Sequence, residues 1–178
     1  MTIRICEQDF DLTTEIARLR AARPEVGAVV AFIGTVRDMN DGLPVAEMVL
    51  EHYPGMTEKS IQTIVDQARL RWPLFETLVI HRVGPLQPQD QIVLVAVSAA
   101  HRGEAFAACE FIMDYLKTEA PFWKKEQTSL GARWVDARVT DDAALAKWQG
   151  ATAVSQVGGV AVTGQVAGTA GPIAKAPA

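Results

Sequence analysis

Apolar residues fall in a few dense runs separated by polar segments. The densest runs from Ile92 to Val97, which is strand length with no polar interruption, and it predicts a strand buried on both faces. After Ser98 and two alanines comes a basic pair, His101-Arg102, and then a helical period. Ala105, Ala108, Cys109, Ile112 and Leu116 recur at helical spacing and predict one buried face over about residues 104–117. Pro121 stops that helix, and Phe122-Trp123-Lys124-Lys125 follows at once.

The remaining pattern is read from the N-terminus. Residues 2–6 predict a short strand, and Asp11 caps a helix over 14–20 with Leu12, Ile16 and Leu19 on one side. Residues 27–36 predict a second strongly apolar strand, leading into Arg37. Asp41-Gly42 marks a turn. In residues 45–53, Ala46, Met48, Leu50 and His52 face one way in a strand. Thr57 is the expected cap of a helix reaching Trp72, with Ile61, Ile64, Val65 and Ala68 as its stripe. Residues 77–83 and 133–139 predict strands, and Asp141 begins a short helix through Trp148. Helices interrupt hairpins rather than alternating with strands, so the fold class is α+β with a mixed or antiparallel sheet.

Residues 150–178 differ in kind. They carry one charge, Lys175, and no aromatic residue. Such a stretch has too little bulky apolar surface to offset its ordering entropy. The expectation is a domain over 1–149 followed by a flexible Gly/Ala/Val-rich tail over 150–178.

Charge narrows the chemistry. The chain of 178 residues has a net charge of −4, which argues against nucleic-acid binding through a general basic surface. From His101 to Arg138, six Lys or Arg meet six Asp or Glu, so any cationic pocket must be built by the fold. The two cysteines, Cys6 and Cys109, are far apart and have no metal-ligand spacing. No leader segment or 18-residue apolar run is present, so the expected compartment is the cytoplasm and no membrane span is expected.

Two constellations could carry chemistry. His101-Arg102 sits between a buried strand and a helix start, where backbone N–H groups and an arginine fork suit a phosphate or carboxylate. Taken alone it reads more readily as an ordinary polar connection. Lys117 and Lys124 straddle Pro121 beside Phe122 and Trp123. If they converge, they suit acid–base or nucleophilic work; if they do not, Lys117 merely complements its helix dipole. Arg37, where a buried strand emerges, is a further candidate, with a plain surface arginine as the alternative.

The segments FIGTVRDMNDG, LEHYPGMTEK, HRVGPLQPQDQIVLVAVSAAHRGEAFAACEFIMDYLKTEAPFWKKE and RWVDAR, in collinear order over residues 5–148, resemble the catalytic subunit of molybdopterin synthases. The resemblance implies an α/β-hammerhead fold and a homodimer within a heterotetramer. It implies a small ubiquitin-like sulfur-carrier subunit whose C-terminal Gly-Gly thiocarboxylate enters this protein. The implied reaction is sulfurtransferase chemistry in molybdenum cofactor biosynthesis: cyclic pyranopterin monophosphate becomes molybdopterin, with no metal or other cofactor required. Carried over by position, Lys117 and Lys124 are catalytic. Arg37, with Thr35 and Val36 before it, His101, Arg102, Lys125, Glu126 and Arg138 bind substrate. Some relatives have lysine where this chain has Thr35, which weakens any contact from that position. The alternatives are a non-catalytic module that docks a ubiquitin-like partner, and a small phosphate-binding domain.

Overall fold

A computed structural model describes residues 1–40, 42–128, 131–135 and 145–148. Its core is a four-stranded mixed sheet formed by β1 (Thr2–Cys6), β2 (Ala28–Thr35), β5 (Leu74–Arg82) and β7 (Gln91–Ala99) in the order β1-β5-β7-β2. β1 runs parallel to β5, while β7 is antiparallel to both β5 and β2. The strand expected to be doubly buried, β7, lies inside the sheet. Val93, Val95 and Val97 project into one cluster, and Leu94 and Ala96 into the other. Period-2 alternation in a central strand makes both sets apolar, hence the uninterrupted run.

Helices α2 (Met56–Arg71) and α3 (Arg102–Thr118) cover the valine face, and α1 (Leu12–Arg20) covers the other. All five α3 positions expected on one face are buried. Asp11 caps α1 as expected, its Oδ1 accepting from the Thr14 N–H at 2.7 Å. Thr57 is not the cap of α2. Gly55 is, with φ +81°, and the Glu58 carboxylate accepts its N–H at 2.6 Å. Thr57 is instead fully buried, its Oγ1 within 3.1 Å of the Tyr53 carbonyl and 3.2 Å of the Pro121 carbonyl.

A second, antiparallel sheet holds β3 (Met39–Asn40), β4 (Leu43–His52), β8 (Phe122–Thr128) and β9 (Gly131–Val135) in that order, with β6 (Gly84–Leu86) also paired to β4. Two features here depart from the sequence pattern. Phe122–Lys125, to which the sequence pattern assigns no element, is the start of β8, paired with β4 from Phe122 and with β9 from Lys124. In β4 the register shifts between Val45 and Glu47. The bulge puts Val45 in the interior and turns Ala46 outward, while Met48 and Leu50 stay buried as expected. Val36, Met48, Leu50 and Leu86 form a small core under this sheet, and Ile92 of β7 packs against it.

The last expected strand is present over Gly131–Val135, and residues 145–148 of the last expected helix are helical. Trp148 packs on Trp72 and Phe111. The rest of both elements, and the tail over 150–178, lie outside the described residues. No helix among the described residues is long and apolar enough to cross a membrane.

Candidate active site

β2 ends at Thr35, which is exposed, and Val36 then turns inward. The Val36 N–H donates to the Asp90 carbonyl at 2.9 Å, and the Gln89 N–H returns to the Val36 carbonyl at 2.8 Å. These bonds fix where Arg37 leaves the sheet, at the end where Thr35 pairs with Gln91. Three residues on, Asn40 ends β3 and is buried, held in a hairpin in which Asn40 faces Leu43. Gly42, in the link, has φ +77°, the left-handed conformation in which a side chain is strained.

β8 supplies the other half. Alternation places Phe122, Lys124, Glu126 and Thr128 on one face and Trp123, Lys125 and Gln127 on the other. Glu126 lies opposite Met48 of β4 and Arg133 of β9 and is only 3 % exposed. A carboxylate so deeply buried is costly unless it is paired, and here four contacts serve it. Asn40 Nδ2 donates to both its oxygens, at 3.0 and 2.9 Å. Lys124 Nζ lies 2.9 Å from Oε1 and Arg133 Nη2 lies 3.3 Å from Oε2. Burial pushes the Glu126 carboxyl up, but the Asn40 and Lys124 hydrogen bonds, the Lys124 charge and Arg133 outweigh it and hold it below its ordinary value. Arg37 joins through Asn40, its Nη2 donating to Oδ1 at 3.3 Å. The fold thus brings Arg37, Lys124 and Glu126 together. Lys125, on the opposite face, lies over the Trp134 ring, 5.4 Å from its centroid.

The basic pair behaves differently. His101 is the N-cap of α3 in extended conformation, without a side-chain capping bond, and Arg102 opens the helix two residues earlier than expected. Both are exposed. Gly27 makes room for this turn: a Cβ there would collide with the Ala100 carbonyl oxygen. Lys117, also exposed, lies in the last turn of α3. Fifteen residues separate Arg102 from Lys117, about 22 Å of helix rise. Lys117 instead shares the corner that leads into β8 and Lys124. That corner is pinned from α2 by Thr57 and by the Ser60 hydroxyl, which donates to the Glu119 carbonyl at 3.1 Å. Arg138 lies outside the described residues.

Asn40 and Arg133 were not singled out from sequence. Asn40 carries no local signal, because its partner is 86 residues away. Arg133 opens an expected strand and the RWVDAR segment, with no role attached to it there. A cavity of about 650 Å³ lies elsewhere, between α1 and the β1–β5 edge. Its cations are already in ion pairs: Arg4 and Arg18 with Glu15, and Arg23 and the N-terminal amine with Glu76. It contains none of the candidate residues. Among the described residues, no group of three His, Cys, Asp or Glu could hold a metal ion.

The fold and this cluster define an α+β protein in which cationic side chains from separate stretches are gathered by a buried amide–carboxylate pair. The sequence pattern described as "MoaE protein" matches residues 5–119, and the chain belongs to that family. It is 74 % identical over 147 residues to the molybdopterin synthase catalytic subunit of Ralstonia nicotianae, covering 83 % of this chain and 84 % of the relative. Among solved structures, it is similar to the molybdopterin biosynthesis MoaE protein of Burkholderia ambifaria, with a TM-score of 0.73 and 62 % identity over 83 % of this chain and 97 % of that one. The molybdopterin synthase of Staphylococcus aureus matches with a TM-score of 0.69 and 36 % identity, over 75 % of this chain and 96 % of that one.

Proposed function

We propose that this chain is the sulfur-transferring subunit of a molybdopterin synthase, working in the cytoplasm. The substrate is cyclic pyranopterin monophosphate, and the sulfur donor is the C-terminal thiocarboxylate of a small ubiquitin-like carrier. Two carriers each give one sulfur to build the dithiolene, and each leaves as a carboxylate when water adds to its acyl carbon and the C–S bond breaks. The observation that carries this reading is the convergence of Arg37 and Lys124 on the Asn40–Glu126 pair in a chain of this family.

The chemistry follows from charge. Substrate phosphate and thiocarboxylate are both anions, which arginine forks and lysines hold well. As sulfur leaves the carrier's acyl carbon, negative charge develops on oxygen. A lysine ammonium fixed beside it stabilises that charge or moves a proton. Lys117 and Lys124 take these roles, and Arg37, Thr35, Val36, His101, Arg102, Lys125, Glu126 and Arg138 hold substrate. His101 and Arg102 are too far along α3 from Lys117 for one chain to use both ends on one small substrate. A second copy in a homodimer supplies the missing end, and carriers dock to give the heterotetramer. Residues 1–149 carry the reaction, and a chain ended at Gly150 retains turnover.

The test is conversion of the pterin phosphate with thiocarboxylated carrier in vitro. The expected result is dithiolene formation with two carriers consumed per product. Absence of product from folded protein and intact thiocarboxylate would overturn the reading.

A further inference from the structure

The hub of the candidate site is a neutral amide. Asn40 is 4 % exposed and sits on a strand of two residues, so its side-chain bonds do much to place it. Its Nδ2 serves both Glu126 oxygens, its Oδ1 accepts from Arg37, and its main-chain carbonyl accepts from Arg133 Nη2 at 3.4 Å. Glu126 in turn meets Lys124 Nζ at 2.9 Å. Arg37 follows β2 and Lys124 lies in β8, and Asn40 is the described link between them.

The chemistry of this position is specific. An amide donates to a carboxylate without adding a further positive charge beside Lys124 and Arg133, which already meet it. Its other end accepts from an arginine, which no cation could do. An apolar residue would leave Glu126 short of two contacts in a buried place. An ionised aspartate would set one carboxylate against another about 3 Å away, so that the pair would take up a proton more readily.

We propose that Asn40 is a positioning residue for sulfur transfer: through Glu126 it fixes the place of Lys124 Nζ, and through Oδ1 it ties Arg37 to the same cluster. The catalytic part of this rests on the function proposed above. Asn40 itself touches no reacting atom. A protonated aspartate presents an O–H where Asn40 presents its N–H, so Asn40→Asp regains the donor as pH falls.

Two measurements on the full chain test this, after circular dichroism has confirmed folding. The first is trace acylation with acetic anhydride, with Lys124 and Lys125 peptides quantified by mass spectrometry. Lys125, on the opposite face of β8, is the internal standard. Asn40→Ala is expected to raise the Lys124 to Lys125 labelling ratio at least threefold, and an unchanged ratio overturns the positioning of Lys124. The second is turnover. Asn40→Ala is expected to lower kcat at least tenfold, with a smaller rise in the pterin KM as Arg37 is released. For Asn40→Asp, kcat relative to wild type is expected to rise at least fivefold between pH 8 and pH 6. A pH-independent ratio, which simple loosening of the fold would give, overturns the proposal even where Asn40→Ala does not fold. If wild type makes no dithiolene, the proposed function fails, and the labelling ratio still decides whether Asn40 places Lys124.

Discussion

Arg102 and Lys117 open and close the same helix, so about 22 Å of rise separates two cations that the proposed chemistry needs on one small substrate. A straight helix cannot bring its own ends together. Lys117 stays with the α3–β8 corner, which Thr57 and Ser60 tie to α2. Arg102 stays with the turn at the far end of β7, where Gly27 closes on Ala100. The first group adjoins the Asn40–Glu126 cluster through β8, and the second is open to a neighbour.

Glu126 makes stability depend on acid. Its carboxyl is held below the ordinary value of 4.5 in the folded chain. The stabilisation is therefore fully present above about pH 4.5 and is lost as pH falls through the lower, folded value. Glu126→Gln is expected to cost about 1–3 kcal/mol at neutral pH, since it removes a buried acceptor of charge-assisted hydrogen bonds. The difference between variant and wild type is expected to shrink between pH 5 and pH 3. Urea melts at several pH values measure it.

His81 acts in a different window. Its ring stacks on Phe122, with centroids 3.7 Å apart, and its Nδ1–H donates to the Arg82 carbonyl at 2.8 Å. Burial pushes its pKa down from 6.5 to about 4; the bond to Arg82 opposes this and the charge of His52 adds to it. Between those values the unfolded chain holds the extra proton. The stabilisation is complete above pH 6.5 and is lost as pH falls toward 4, to the extent of about 3 kcal/mol. His81→Phe keeps a ring on Phe122 and removes the titration. Its denaturation free energy is expected to fall less steeply than wild type from pH 7 to pH 5.

Thr57→Val tests the corner. The substitution keeps shape but removes a hydroxyl that accepts the Tyr53 N–H at 3.1 Å and reaches the Pro121 carbonyl. The expected loss is about 1–3 kcal/mol in chemical denaturation, with a fall in kcat because both Lys117 and Lys124 leave from this corner. Thr57→Ser is expected to restore most of both.

The parts of the fold that could be read from sequence are those whose periodicity serves a single core. β7 and the buried stripe of α3 are apolar because each meets the same valine-lined cluster. β8 did not read as a strand because its interior face carries Lys124 and Glu126. The apolar neighbours that make the site interior, Met48 and Leu50, belong to β4. Thr57 read as a cap because threonine ahead of an apolar stripe usually is one; its contact with Pro121 is 64 residues distant. In the candidate site, Arg37 and Lys124 stand out by their places in the chain and take roles from the resemblance, Glu126 comes from the resemblance alone, and no local pattern marks Asn40. Chemistry held by long-range hydrogen bonds leaves little trace in a linear pattern.

The two ends of α3 are expected to serve one site only when contributed by different copies. Arg102→Ala and Lys117→Ala chains, each inactive alone, are unfolded together, refolded at equal ratio and assayed for dithiolene formation. Half of the dimers then pair one variant with the other, and one of the two sites in each holds both an intact Arg102 and an intact Lys117. Recovery of about one quarter of wild-type activity is expected. No recovery from a mixture shown to contain the mixed dimer would contradict it.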